Sequence, residues 1–297
     1  MKIRFQVLIL FCYCVLAHNA YAEVGHSHFE SDKSLSASKI RHIPSPQVRS
    51  HIALIYDEQA KMPLYAKNDE TVAPIASITK LMTAMVVLDA MQPLDEEVSV
   101  EDDNLDKIKR ARSRLKFGTT LTRGELLRLA LMASENRATS ALARSYPGGT
   151  ASIVAAMNAK ARGLGMLNTR FVGPTGLDSN NVSTANDLVK MIAAARRYPL
   201  IRQYSTAPSY SVGDFGGSEM RFGNTNPLVK SASWDIGLSK TGYIQESGLC
   251  LVMEANINDR PVIIVLLNSW GKHTRVGDAN RIKRWMERID KYGLPSV

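Results

Sequence analysis

Cysteine is scarce in this 297-residue chain, which holds only three. Two of them, Cys12 and Cys14, sit in an N-terminal stretch built like a secretory leader. It opens Met1-Lys2-Ile3-Arg4, runs apolar from Phe5 to Ala17 and ends Ala20-Tyr21-Ala22. A basic start, a short apolar core and an A-x-A site predict cleavage after Ala22 and removal of residues 1–22. The one remaining thiol, Cys250, lies in the apolar run Gly248-Leu249-Cys250-Leu251-Val252-Met253. A single cysteine excludes an internal disulfide. Its apolar surroundings fit a buried structural residue rather than an activated nucleophile.

Long apolar runs are also missing. The leader core is shorter than the ~20 residues a bilayer span needs, and no later stretch reaches that length. The mature chain is therefore expected to be exported and soluble, with no transmembrane anchor after leader removal. Metal-ligand spacing is absent too. His26 and His28 stand close together, but no Cys/His partners follow at a suitable interval. No metal and no cofactor are expected, and there is no internal repeat.

What is present is positive charge. Lys and Arg number 37 against 28 Asp and Glu, a net +9. The leader holds Lys2 and Arg4 and no acid, so its loss leaves +7. Nucleic acid is one partner class for a basic protein, but an exported protein rarely meets it. Carboxylate-rich envelope polymers are the better match, through long-range steering. Removing 22 of the 297 residues leaves 275, enough for one large core or two lobes.

Residues 23–47 are rich in Ser, His and Lys and lack apolar periodicity, which predicts a mobile lead-in. His51 to Tyr56 reads as a strand and Met62 to Ala66 as its returning partner. A helix is predicted from about Ser77 to Met91, apolar almost all round and therefore buried. Asp106 to Lys116 carries Lys107, Lys109, Arg110, Arg112, Arg114 and Lys116. It reads as a solvated basic face, or as a guide for acidic polymer. Thr122-Arg123-Gly124-Glu125 is a capping box opening a helix, which Ser134-Glu135-Asn136 ends before a second helical run to about Ser145. Ala151 to Leu164 is a further helix, Gly173-Pro174-Thr175-Gly176 a loop, and Thr184 a cap for a helix through Ile192. From Pro208 the pattern changes to strands at Ser209–Gly213, Glu219–Asn224, Asp235–Tyr243, Gly248–Asn256 and Pro261–Ser269, with short turns between them. A last amphipathic helix spans about Gly277 to Lys291. The expected architecture is an α/β (α+β) fold. An antiparallel five-stranded sheet is built from both chain ends with flanking helices, and an all-helical lobe, about residues 84–200, is inserted in it. Residues 48–297 form the catalytic domain in this reading.

Three motifs fall on this framework in order. Ser77 and Lys80 stand three apart at a helix start, an i,i+3 spacing that puts both side chains on one face. A serine hydroxyl is a weak nucleophile until a neighbour takes its proton, and a helix N-terminus favours developing negative charge. Ser134 and Asn136 lie between two helices, and Lys240-Thr241-Gly242 lies on the third of the late strands. Each piece alone is common: a capping serine with a surface lysine, a helix-junction cap, a turn. Together, on these element types, they are the signature of serine β-lactamases and penicillin-binding proteins.

From about Val48 to Arg288 the chain resembles the low-molecular-mass penicillin-binding proteins of the D-alanyl-D-alanine peptidase family, and within it the periplasmic endopeptidases. Ala73 to Thr83, Ser134-Glu135-Asn136-Arg137-Ala138, Lys240-Thr241-Gly242-Tyr243 and Asn181 to Leu188 carry the resemblance. It implies hydrolysis of D-alanyl cross-links in peptidoglycan through an acyl-enzyme on Ser77, in the periplasm, with β-lactams as covalent inhibitors. Lys80 would take the serine proton, its pKa depressed by desolvation and by the ammonium of Lys240. Ser134 would relay the proton to the leaving nitrogen, and Asn136 would hold the substrate amide and Lys80. Lys240 and Thr241 would bind the carboxylate beside the leaving amine. Gly242 would let the substrate backbone approach, and the N–H groups of Ser77 and Tyr243 would form the oxyanion hole. Glu135, where many relatives carry Gly or Asp, is expected to point away from the site with little consequence.

A class A β-lactamase would need a glutamate between the second and third motifs to activate water. The only glutamate between Asn136 and Lys240 is Glu219, in a strand-like stretch. D,D-carboxypeptidases are the nearest alternative; the chain ends soon after its last helix, without the added C-terminal domain many of them carry. An inactive peptidoglycan-binding module is a third reading.

Overall fold

Both ends of the chain supply the main sheet. The computed structural model describes residues 45–102, 113–213 and 219–292. The leader, most of the lead-in and the basic stretch 103–112 lie outside the described residues. β1 (Ile52–Asp57) and β2 (Met62–Lys67) form the first hairpin, and β3 (Ala73–Pro74) leads to a 3-10 turn (Ala76–Ile78) and α1 (Thr79–Asp89). β4 (Glu97–Ser99) and β5 (Thr120–Thr122) pair ahead of α2 (Arg123–Met132), α3 (Asn136–Arg144) and α4 (Gly149–Gly163). β6 (Val182–Ser183) returns to pair with β3, and α5 (Ala185–Ala195) and α6 (Pro199–Thr206) follow. β7 (Ser209–Val212) and β8 (Met220–Gly223) make a separate hairpin. β9 (Asp235–Ile244), β10 (Gly248–Ile257), β11 (Arg260–Ser269) and α7 (Thr274–Tyr292) complete the chain. The main sheet runs β2-β1-β11-β10-β9, with every pair antiparallel.

The strands read as nearly continuous apolar runs because both faces of the sheet are covered. Period-2 alternation divides the side chains. Ile52, Leu54, Val252, Ile263 and Val265 enter the core shared with α1 and the other helices. Ala53, Ile55, Leu251, Met253, Ile264 and Leu266 enter a second core under α7. That helix presents Ala279, Ile282, Trp285, Met286 and Ile289, a helical spacing that makes one apolar stripe. Each fully buried Leu or Ile is worth about 2 kcal/mol.

α1 runs through the centre, buried from Thr79 to Val87 as its all-round apolar pattern predicts. The capping box holds: Thr122 Oγ1 accepts from Glu125 N at 3.2 Å, and Glu125 Oε2 accepts from Thr122 N at 2.9 Å. Two strands expected in the late block, at Ser209 and Glu219, form their own small ladder instead of joining the main sheet. α6 has no counterpart in the sequence reading, because Pro199 and the polar residues Arg202, Gln203 and Thr206 interrupt any long apolar period. Pro46, within the expected lead-in, is already buried.

Candidate active site

The nucleophile candidate stands on a turn that the chain has to force. Ser77 lies in the 3-10 turn, ahead of α1 rather than inside it. Ala76 before it has φ +46°, a left-handed conformation costly for a residue with a Cβ. Two glycines surround this turn. Gly176, at φ +80°, is covered so closely that a Cβ would lie 1.9 Å from Ala76 O. A Cβ on Gly242 would lie 3.0 Å from both Ile75 O and Ser77 N. Gly242 therefore admits the protein's own nucleophile turn, a tighter constraint than the expected approach of substrate backbone.

Lys80 is 1% exposed. Its Nζ donates to Ser77 Oγ at 2.9 Å, Asn136 Oδ1 at 2.7 Å and Thr175 O at 2.7 Å. Burial pushes its pKa down to about 7, and the carboxylate of Glu135 opposes that shift. Glu135 is thus not inert. It is buried, caps α3 by accepting from Arg137 N at 3.3 Å, and supplies negative charge to the site. Near neutral pH a lysine in this state is divided between amine and ammonium. Its amine form can accept the Ser77 proton.

Lys240 is equally buried, at 1% exposure. Its Nζ donates to Ser134 Oγ at 2.9 Å and to Thr241 O at 3.0 Å. Burial, then Lys80, then Arg275 hold it well below the usual lysine range. Burial is the largest cause of the shift at both lysines, and the repulsion between them adds to it. Ser134 itself has φ +58°, a second strained residue in the site. The Ser134–Asn136 loop joins the two lysines: one end accepts from Lys240, the other from Lys80. Thr241 Oγ1 donates to Thr225 Oγ1 at 2.6 Å, and Tyr243 is exposed beside them.

Seven of the eight expected residues are tied together by these contacts, between the edge strand β9 and the helices, and Tyr243 follows Gly242 on β9. Other contributors went unread. Thr175 lends a carbonyl to Lys80; its Gly-Pro-Thr-Gly stretch signals a loop but not what the loop holds. Asn181, fully buried, accepts from Val172 N and Gly173 N at 2.7 and 3.1 Å. It donates to Thr79 Oγ1 at 3.2 Å and Gly173 O at 2.8 Å, and its carbonyl accepts from Ile75 N at 3.1 Å. It fastens the loop to the nucleophile turn. Arg275, on α7, donates to Gly242 O at 3.0 Å and Cys250 O at 3.1 Å, which places a third cation behind β9. Sequence spacing gave no sign of it. The Arg275 cation behind β9 and the hydrogen-bonding groups of Lys240 and Thr241 suit the cleft to a carboxylate-bearing substrate.

Comparison with known proteins points the same way. A family model described as D-alanyl-D-alanine carboxypeptidase matches residues 38–271. A D-alanyl-D-alanine endopeptidase of Pseudomonas aeruginosa is 46% identical over 252 residues, 84% of this chain and 81% of the relative. One from Escherichia coli is 45% identical over 261 residues, 85% of this chain and 82% of the relative. Among solved structures, a Streptomyces DD-transpeptidase superposes with a TM-score of 0.76 at 28% identity, covering 83% of this chain and 100% of that one.

Proposed function

The chain belongs to the D-alanyl-D-alanine carboxypeptidase family of serine peptidases, and from that premise we propose that it cleaves D-alanyl cross-links in peptidoglycan as a periplasmic D,D-endopeptidase. The observation that carries this reading is the contact of a buried, half-neutral Lys80 with Ser77 Oγ at 2.9 Å. Residues 48–297 act as one catalytic unit, with the helical lobe of about residues 84–200 set into the sheet. A hydrophobic core continuous from β1 and β11 through α1 into α2, α3 and α4 supports treating them together. Among the described residues, no helix is long and apolar enough to cross a membrane.

In this mechanism the substrate peptide lies along β9, the free edge of the sheet. Lys80 as amine takes the Ser77 proton while Oγ attacks the D-alanyl carbonyl. The oxyanion is held by the N–H groups of Ser77 and Tyr243, which flank the contact of the turn with Gly242; one such donor is worth about 3 kcal/mol. Ser134, bonded to Lys240, passes a proton to the departing nitrogen as the C–N bond breaks. Asn136 keeps Lys80 oriented and binds the substrate amide. Lys240 and Thr241 receive the carboxylate next to the leaving amine, in the field of Arg275. Water then hydrolyses the Ser77 ester by the same proton route in reverse. β-Lactams enter the first half of this cycle and acylate Ser77.

D-alanyl-D-alanine carboxypeptidase action is the second reading, favoured by the family description and by relatives so named, including one of Bacillus subtilis at 30% identity. The chemistry is shared. Incubation with cross-linked muropeptide dimers and with pentapeptide monomers separates the two by products. Fluorescent penicillin is expected to label the protein, and Ser77→Ala to abolish both labelling and turnover. Undiminished labelling of that variant would remove Ser77 as nucleophile.

A further inference from the structure

Outside the reacting groups, one rim of the cleft gathers cations, two of them on aromatic supports. Arg137, the residue after Asn136, donates to Leu115 O, and its guanidinium lies 3.9 Å from the Phe117 ring centroid. Arg114 donates to Arg221 O at 2.5 Å and lies 4.9 Å from the centroid of Phe222. Segment 113–119 and the β7–β8 hairpin are thereby joined beside the Ser134–Asn136 loop. The hairpin is tied to the site as well: Thr225 N donates to Met132 O at 3.1 Å, and Thr225 Oγ1 receives the Thr241 hydroxyl. Arg221 precedes Thr225 by four residues, a reach of ~13 Å for extended chain.

Arg114, Lys116 and Arg221 are exposed, as is Phe117. None of these three cations is paired with a carboxylate among the described residues; Arg221 donates only to Ser209 Oγ, at 3.2 Å. Stacking on an aromatic ring fixes a guanidinium in place before any ligand arrives. Among the described residues, exposed glutamates adjoin this edge at Glu101, which pairs with Arg144, and at Glu219, at the foot of β8. The rim is therefore a preorganised positive edge that Arg221 brings within about four extended residues of the carboxylate-binding end of the cleft.

We propose that Arg114, Lys116, Phe117, Arg137 and Arg221 form a subsite for a carboxylate on the second peptide of a cross-linked substrate, beyond the scissile D-alanyl bond. This rests on the D,D-peptidase reading above and adds to it a physical basis for preferring cross-linked over monomeric peptide. A peptide spans ~3.3 Å per residue. Beyond the carboxylate that Lys240 and Thr241 receive, a monomeric stem peptide has no further residue on the leaving side of the scissile bond, whereas a cross-linked substrate continues there into its second peptide.

The test uses the mature protein and the double variant Lys116→Glu/Arg221→Glu, whose side chains are exposed. kcat/KM is measured on a cross-linked muropeptide dimer and on a pentapeptide monomer, alongside the rate of labelling by fluorescent penicillin. The dimer reaction is expected to fall about tenfold and the monomer reaction less than twofold. The gap should close at roughly 1 M salt, where the Debye length is about 3 Å. Lys116→Arg/Arg221→Lys, which keeps both charges, should stay near the wild-type ratio. A dimer rate that does not change, or dimer and monomer rates that fall together, overturns the subsite. Wild-type protein that takes up no penicillin and cleaves neither substrate overturns the peptidase reading instead.

Discussion

Lys80 and Lys240 are each 1% exposed, yet neither donates a hydrogen bond to a carboxylate. An ammonium out of water without a counter-ion is expensive, so burial drives both toward the neutral amine. Glu135 moderates this at Lys80. Glu135→Gln keeps the bulk of the side chain and removes its charge. The variant should shift the acidic limb of the acylation–pH profile to lower pH, because Lys80 would lose the group that favours its ammonium form. Melting should also weaken by about 0.5–1 kcal/mol through the poorer α3 cap. A limb that stays in place would show that Glu135 acts on the cap alone. A motif letter at position 135 says what stands between Ser134 and Asn136. It does not say where its carboxylate points, and for that reason its role escaped the sequence.

At the scale of elements, what could be read was what pattern dictates: the β1–β2 hairpin, the buried α1, the capping box at Thr122 and the long strands β9 to β11. Apolar periodicity and turn chemistry are local signals, and these elements obey them. The parts that escaped are held by contacts between distant segments. β3 and β6 are two residues each, too short to carry a period. The loop at Gly173–Gly176 is shaped by Asn181 and by a turn about a hundred residues earlier in the chain. Asn181→Leu fills nearly the same volume but leaves Val172 N, Gly173 N and Thr79 Oγ1 without their partner. A loss of about 3 kcal/mol is expected from chemical denaturation. Acylation of the folded fraction should also slow, since this loop carries the Thr175 carbonyl. Stability lost with acylation unchanged would mean that the loop supports the fold and not the site.

Across the whole molecule, segments far apart in sequence converge at two places. One is the N-terminal entry to the sheet. Asp278 on α7 is fully buried and accepts from Arg49 N at 2.9 Å, Ser50 N at 2.7 Å and Ser50 Oγ at 2.5 Å. Ser50 Oγ also meets Ser269 Oγ at 2.6 Å. The segment entering β1 is thus clamped to α7, one turn beyond Arg275. Asp278→Ala should cost about 3 kcal/mol in unfolding free energy, because the buried N–H and hydroxyl of Ser50 lose their acceptor; a change below about 0.5 kcal/mol would show the clamp to be idle. The other convergence is the cleft, where the turn before α1, the loop before α3 and strand β9 contribute the alcohol, its base and the second amine. The most direct test of that arrangement is the rate of Ser77 acylation by a penicillin across pH. With Lys80 at about pKa 7, the amine is protonated below that pH and cannot accept the serine proton, and it is free above it. The rate should therefore climb roughly tenfold per pH unit below about 7 and level off above it. A rate independent of pH between about 5 and 9, or one still climbing toward the ordinary lysine range near 10, would contradict a buried neutral lysine as the base.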